Sequence, residues 1–119
     1  MEFYNFKKDI GKSITTVDSN FILSKIVQTS STASINCMHL PANGVIGYHQ
    51  AVVPQLLLIL NGEGYVRNEV EADIKLVAGD AVFWTKNEWH ETKTNDGLTA
   101  IVIESEELSP SLFMPNSIR

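Results

Sequence analysis

Apolar residues along this chain fall in short runs separated by turn formers, and no stretch sustains helical spacing. The first run is Phe21-Ile22-Leu23-Ser24-Lys25-Ile26-Val27, closed by Thr29-Ser30-Ser31-Thr32. Residues 33–40 follow and end in Pro41-Ala42-Asn43-Gly44, a strong turn signal. Gln55-Leu56-Leu57-Leu58-Ile59-Leu60 stops at Asn61-Gly62-Glu63-Gly64, and Tyr65-Val66-Arg67 resumes. Asn-Gly supplies the positive φ angles of a tight turn, so the pattern predicts a hairpin there. Three more runs, at 70–77, 81–84 and 98–103, are punctuated by Gly79-Asp80 and Asn95-Asp96-Gly97. Short strands at regular spacing with no interleaved helices predict an all-β antiparallel sandwich or barrel. With no internal repeat or linker, one domain is expected over residues 1–119, its barrel spanning about 33–104.

Two runs do not alternate as a half-solvated strand does. Leu57 and Ile59 share the face of Gln55, whereas Leu56, Leu58 and Leu60 occupy the other. Residues 98–103 are likewise mostly apolar on both faces. Both faces of each strand therefore need cover. A barrel interior covers one. The other is expected to meet a second protomer in a homodimer; alternatively, the N-terminal segment or the C-terminal tail covers it within one chain. The tail Ser109-Pro110-Ser111-Leu112-Phe113-Met114-Pro115 reads as one helical turn, with Ser109 as N-cap and Pro110 at the first position. Its apolar trio is expected to dock on the barrel or across the dimer.

Composition narrows the function. A chain of 119 residues, 44% hydrophobic, buries a core without disulfides and is not disordered. A net charge of −5 and the lack of any strongly basic stretch argue against nucleic acid as a partner. The single cysteine, Cys37, excludes an intramolecular disulfide and reads as a small buried residue. Residues 52–60, the most apolar stretch, contain Pro54 and Gln55 and are too short to span a bilayer. The first residues lack the basic-then-apolar order of a signal peptide. A soluble cytoplasmic protein with no membrane partner is the expectation.

Candidate chemistry rests on three histidines, His39, His49 and His90. His49 lies in Gly44-Val45-Ile46-Gly47-Tyr48-His49-Gln50-Ala51-Val52-Val53-Pro54-Gln55, which leads on to Gly62. His90 ends a second glycine-led block, Gly79-Asp80-Ala81-Val82-Phe83-Trp84-Thr85-Lys86-Asn87-Glu88-Trp89-His90. The two blocks resemble the motifs of the cupin superfamily, G-x5-H-x-H-x3,4-E-x6-G and G-x5-P-x-G-x2-H-x3-N. The resemblance implies a cupin-type double-stranded β-helix, or jelly-roll barrel, in which the His-x-His pair, the Glu and the later His converge on a metal. His49 takes the first His position, Ala51 the second, Gln55 the Glu position and Gly62 the closing Gly; Gly44 lies one residue closer to His49 than the pattern asks. In the second block Gly79 and His90 match, while Thr85 replaces Pro, Asn87 replaces Gly and Thr94 replaces Asn. Asn87 is a mild change, because Asn tolerates the left-handed conformation.

The departures set the functional question. Two imidazoles of the implied ligand set remain, Gln55 is a neutral amide, and Ala51 cannot coordinate. His49, Gln55 and His90 are the expected site. They are either a reduced ligand set for a divalent metal (Fe, Mn, Ni or Zn), or cavity groups that hydrogen-bond a small molecule, the histidines serving as acid and base. Glu88 or Glu91 is a candidate for the missing carboxylate. His39 fits no motif position and reads as structural or surface; Phe83 and Trp84 read as core or interface aromatics, and Gly62 and Gly64 as turn glycines. The expected function is a barrel that binds a small molecule in its interior. The alternatives are a metal-dependent oxygenase, isomerase or lyase at the same site, and an interaction protein whose dimer surface is the function.

Overall fold

The computed structural model describes residues 1–117. Its strands are β1 (Glu2–Asn5), β2 (Lys12–Ile14), β3 (Phe21–Leu23), β4 (Ser34–Leu40), β5 (Val45–Gln50), β6 (Gln55–Asn68), β7 (Ile74–Val77), β8 (Asp80–Trp84), β9 (Trp89–Lys93) and β10 (Leu98–Glu104). Short 3-10 turns occur at Lys8–Ile10 and Pro110–Leu112. The all-β expectation holds. Every strand pair is antiparallel.

The hairpin expected at Asn61-Gly62 does not form. Instead β6 runs on for 14 residues. Its first part pairs with β8 and β10, and its second part with β7 and β9. At the crossing point the register against β10 shifts between Thr99 and Ala100, leaving Leu60 as an extra residue, and Gly62 holds φ at +81°. A glycine at positive φ beside an unpaired residue bends and twists a strand without reversing it. A Cβ at Gly62 would also collide with the Gly97 carbonyl. One strand thus belongs to two walls: β1-β8-β6-β10-β4, and β5-β9-β6-β7.

The space between the walls is filled by Phe3, Leu57, Ile59, Val66, Leu76, Val82, Trp84, Leu98, Ala100 and Val102. The opposite face of the first wall carries a second cluster, Tyr4, Leu56, Leu58, Ala81, Phe83 and Ile103, closed by Met114 and flanked by Ile26, Val27, Ala33 and Leu108. Leu56 and Leu58 are 0% and 3% exposed within a single chain. The segments before β4 and after β10 supply the cover, so these residues require no second protomer. The tail is anchored by Ser117 N–H donating to the Phe3 carbonyl at 2.7 Å and by a bridge between Tyr4 and Asn116.

Several local expectations change. Only Phe21–Leu23 of the first apolar run is strand; Ile26 and Val27 pack on the outer cluster. Of residues 70–77 only Ile74–Val77 is strand, because Asn68 Oδ1 accepts from the amides of Val70 and Glu71 and closes a turn there. Ser109 precedes Pro110 as expected but makes no side-chain cap bond, and the turn is 3-10. Cys37 is exposed, not buried, since it lies on β4, which pairs only with β10 at the end of its sheet. No helix among the described residues is long and apolar enough to cross a membrane.

Candidate functional site

Strands β5 and β9 bring the two motif histidines together. A register shift between Ile46 and His49 sets His49 directly across from His90. Their ring centroids are 4.3 Å apart with the planes 58° to one another. His90 also stacks on Trp84, at 4.0 Å and 18°. His90, 2% exposed, is thus in contact with both an indole and a second imidazole.

The ring nitrogens have distinct partners. His49 Nδ1 lies 2.7 Å from the Gly47 carbonyl, and His90 Nδ1 lies 3.1 Å from the Glu88 carbonyl. A carbonyl only accepts, so each Nδ1 carries the proton and donates. Each neutral ring then keeps its Nε2 lone pair as an acceptor. Burial pushes the pKa of His90 down; the Glu88 carbonyl opposes this and the neighbouring His49 adds to it.

A cavity of about 70 Å³ opens between the walls. Its polar lining is His49, Gln55, His90, Thr92 and Glu104; Met38, Ile46, Leu57, Trp84 and Val102 supply the apolar part. Ligand pockets for drug-sized molecules run to several hundred Å³, so this cavity admits a small molecule or one end of a larger one. Trp84 Nε1 is buried without a hydrogen-bond partner among the described residues. A buried donor left unpaired is costly, which makes an acceptor brought by an occupant favourable.

His49, Gln55 and His90 therefore line one cavity. Ala51 is fully buried, and its backbone bonds to Asn87 and Glu88 without adding a donor atom to the site. His39 is exposed on β4. Neither acid named from the sequence faces the cavity. Glu88 accepts from the amino terminus of Met1 at 2.8 Å, from Asn68 Nδ2 at 2.8 Å and from the Thr85 amide at 3.0 Å. Burial raises its pKa, but these hydrogen bonds outweigh that and hold the carboxyl below its ordinary range. Glu91 pairs with Arg67 at 3.0 Å.

The carboxylate that does line the cavity is Glu104, a residue the sequence reading passed over. A signal was available. Leu98, Ala100 and Val102 all face the interior, and Glu104 continues that row two residues on. It ends β10 directly opposite Gln55 on β6 and makes no ion pair among the described residues.

The donor set suits a resident divalent ion only in part. Two Nε2 acceptors point the right way, because a metal-bound imidazole commonly donates its other N–H to a carbonyl. Beyond them the fit fails: among the described residues no three His, Cys, Asp or Glu side chains are grouped closely enough to hold a metal. The Gln55 amide adds oxygen without charge. His49, Gln55 and His90 thus bring no carboxylate between them and fall short of the three firm ligands that a catalytic ion usually takes.

No protein-family model matches the chain, and no curated sequence does. Solved structures do. A cupin superfamily protein of Desulfitobacterium hafniense superposes with a TM-score of 0.60 at 19% identity, over 71% of this chain and 77% of that one. KdgF from a Halomonas species gives 0.59 at 22%, over 70% and 78%. A predicted oxalate decarboxylase of Thermotoga maritima gives 0.55 at 26%, over 60% and 64%. These likenesses define the fold class, a jelly-roll β-sandwich of the cupin type. The chain thus has a small cupin-type fold, with Ala51 and Gln55 at the positions that the motif quoted above gives to His and Glu.

Proposed function

We propose that this protein binds a small polar molecule in the cavity between its walls, held by His49, Gln55 and His90 without a resident metal. The observation that carries the reading is the pairing of two Nδ1-anchored imidazoles over a half-closed, largely apolar cavity. Both Nε2 atoms accept, so the ligand presents donors such as hydroxyl or amino groups to them. The unpaired Trp84 N–H supports an acceptor oxygen on the same ligand. Met38, Ile46, Leu57 and Val102 exclude water and strengthen these few polar contacts.

Untagged protein examined by native mass spectrometry, together with elemental analysis, tests the reading. A retained organic adduct of low mass, lost in His90→Ala and with no stoichiometric metal, is the expected result. Stoichiometric Fe, Mn, Ni or Zn, lost in both His49→Ala and His90→Ala, would replace it with a metal-dependent enzyme of oxygenase, isomerase or lyase type.

A further inference from the structure

Three residues of the cavity lie in one row across adjacent strands. Glu104 on β10 pairs with Gln55 on β6, and Gln55 pairs in turn with Trp84 on β8. Residues in register across a sheet share a face, and all three line the cavity. The row is graded, with a carboxylate at one end, an amide in the middle and an indole N–H at the other. His49, His90 and Thr92 complete the polar lining from β5 and β9.

Both ends of the row lack a partner. Glu104 is half-buried and makes no ion pair among the described residues, of which no Lys or Arg lines the cavity. The Trp84 N–H is buried and equally unpaired among them. A partly desolvated carboxylate without a counter-charge is unfavourable, and an occupant that brings a cation relieves it. An anionic occupant would set a second negative charge beside the first, with no Lys or Arg to offset it. Gln55 matters for the charge it lacks: an acid there would give the lining two carboxylates, one more than a single cation balances. Size narrows the class further. A water-sized group needs about 10–15 Å³, so a cavity of about 70 Å³ takes roughly five to seven of them.

We infer that the occupant is a small primary ammonium compound that also bears a hydroxyl, an amino alcohol whose ammonium pairs with Glu104. This rests on the reading that the cavity binds a small polar molecule without a resident metal. The ammonium offers three N–H donors, to the Glu104 carboxylate and the side-chain carbonyl of Gln55. The hydroxyl oxygen accepts from Trp84 Nε1, and its O–H donates to an imidazole Nε2. Glu104 thus sets specificity, while Trp84 and the histidines hold the end that a neutral alcohol shares.

Titration of the full chain, followed by amide NMR spectra, compares three probes built on the same three-carbon chain: aminopropanol, propanediol and hydroxypropanoate, each substituted at both ends. The expected result is that aminopropanol binds about tenfold or more tighter than propanediol, and that hydroxypropanoate binds weakest. Glu104→Gln keeps the shape and should bring aminopropanol and propanediol to the same affinity. Glu104→Lys should reverse the order in favour of hydroxypropanoate, and it decides if Glu104→Gln misfolds. Signal dispersion in the same spectra reports the folding of each variant. Equal binding of aminopropanol and propanediol by the wild type overturns the ammonium assignment and leaves the small-molecule reading standing. So does a preference for aminopropanol that survives Glu104→Gln. No shift at the cavity residues with any probe also overturns the assignment, and stoichiometric metal in the same preparation would overturn the underlying reading with it.

Discussion

Glu104 stands directly across from Gln55 on antiparallel strands β10 and β6, and both side chains line the same cavity. The position that the cupin motif gives to an acid is neutral here, while an acid sits on the adjacent strand. Gln55→Glu should therefore place two carboxylates face to face in a half-closed site. Like charges across a strand pair repel, and burial adds to the cost of ionising both. The folded-state pKa of the pair rises above its unfolded value, so the variant's deficit is absent at low pH and appears as pH rises through the folded value. Urea unfolding should show the variant about 1–3 kcal/mol less stable than wild type at neutral pH, with the gap closing in acid. Adding Glu104→Gln should remove most of the deficit. An unaltered deficit in that double variant would show that the two positions do not interact.

Gly62 is where one strand passes between walls, at φ +81° and against the Gly97 carbonyl. Gly62→Ala meets both a left-handed backbone and a backbone collision. The strain alone is worth about 1–2 kcal/mol, and the collision adds to it. A clear fall in melting temperature is expected. No change would mean that the bend at Leu60–Gly62 relaxes freely.

Leu56 lies on the outer face of the first wall under the chain's own tail, beside Met114. Leu56→Ala should cost about 2–5 kcal/mol, as for other fully buried leucines. Met114→Ala should also destabilise, because it opens the same cluster from the tail side. Chemical denaturation measures both. If Met114→Ala had no effect, the tail would not be the cover that Leu56 needs.

Tyr4 gives an alkaline signature. Its pKa is pushed up to about 12 from 10.0, by burial first and then by its hydrogen bond to Glu2 and that residue's charge. The Tyr4 hydroxyl donates to Glu2 Oε1 at 2.7 Å. A raised folded-state value keeps its stabilising contribution intact below the unfolded pKa and loses it as pH climbs toward the folded one. Stability should decline as pH rises from 10 through 12, by up to about 3 kcal/mol from this residue. Tyr4→Phe should remove that part of the slope, and alkaline unfolding curves of the two proteins provide the comparison.

Much of the architecture was legible because a strand announces itself by a period of two and by its turn residues. The runs at 33–40, 81–84 and 98–103 became β4, β8 and β10 within a residue or so. The motif spacing likewise brought His49, Gln55 and His90 to one cavity. Asn61-Gly62 misled because the same positive-φ glycine serves a hairpin or a bulge, and the partner strands choose between them. β10, paired with β6 from Gln55 to Gly62, keeps β6 going forward. Glu104 escaped notice because it lies beyond both motif blocks, and its direction depends on a register the sequence does not state.

The sequence by itself determined an all-β chain, most of its turn positions, and strands that demand cover on both faces. Those follow from local geometry and from the cost of exposing apolar side chains. Tertiary structure decided what supplies that cover, since long-range packing places Met114, Leu108 and Val27 over Leu56 and Leu58. It also decided which carboxylate reaches the cavity: hydrogen bonds draw Glu88 to Met1 and Asn68, whereas the inward row of β10 delivers Glu104. The direction of a side chain in a sheet is set by its partner strands, and those lie far away in the sequence.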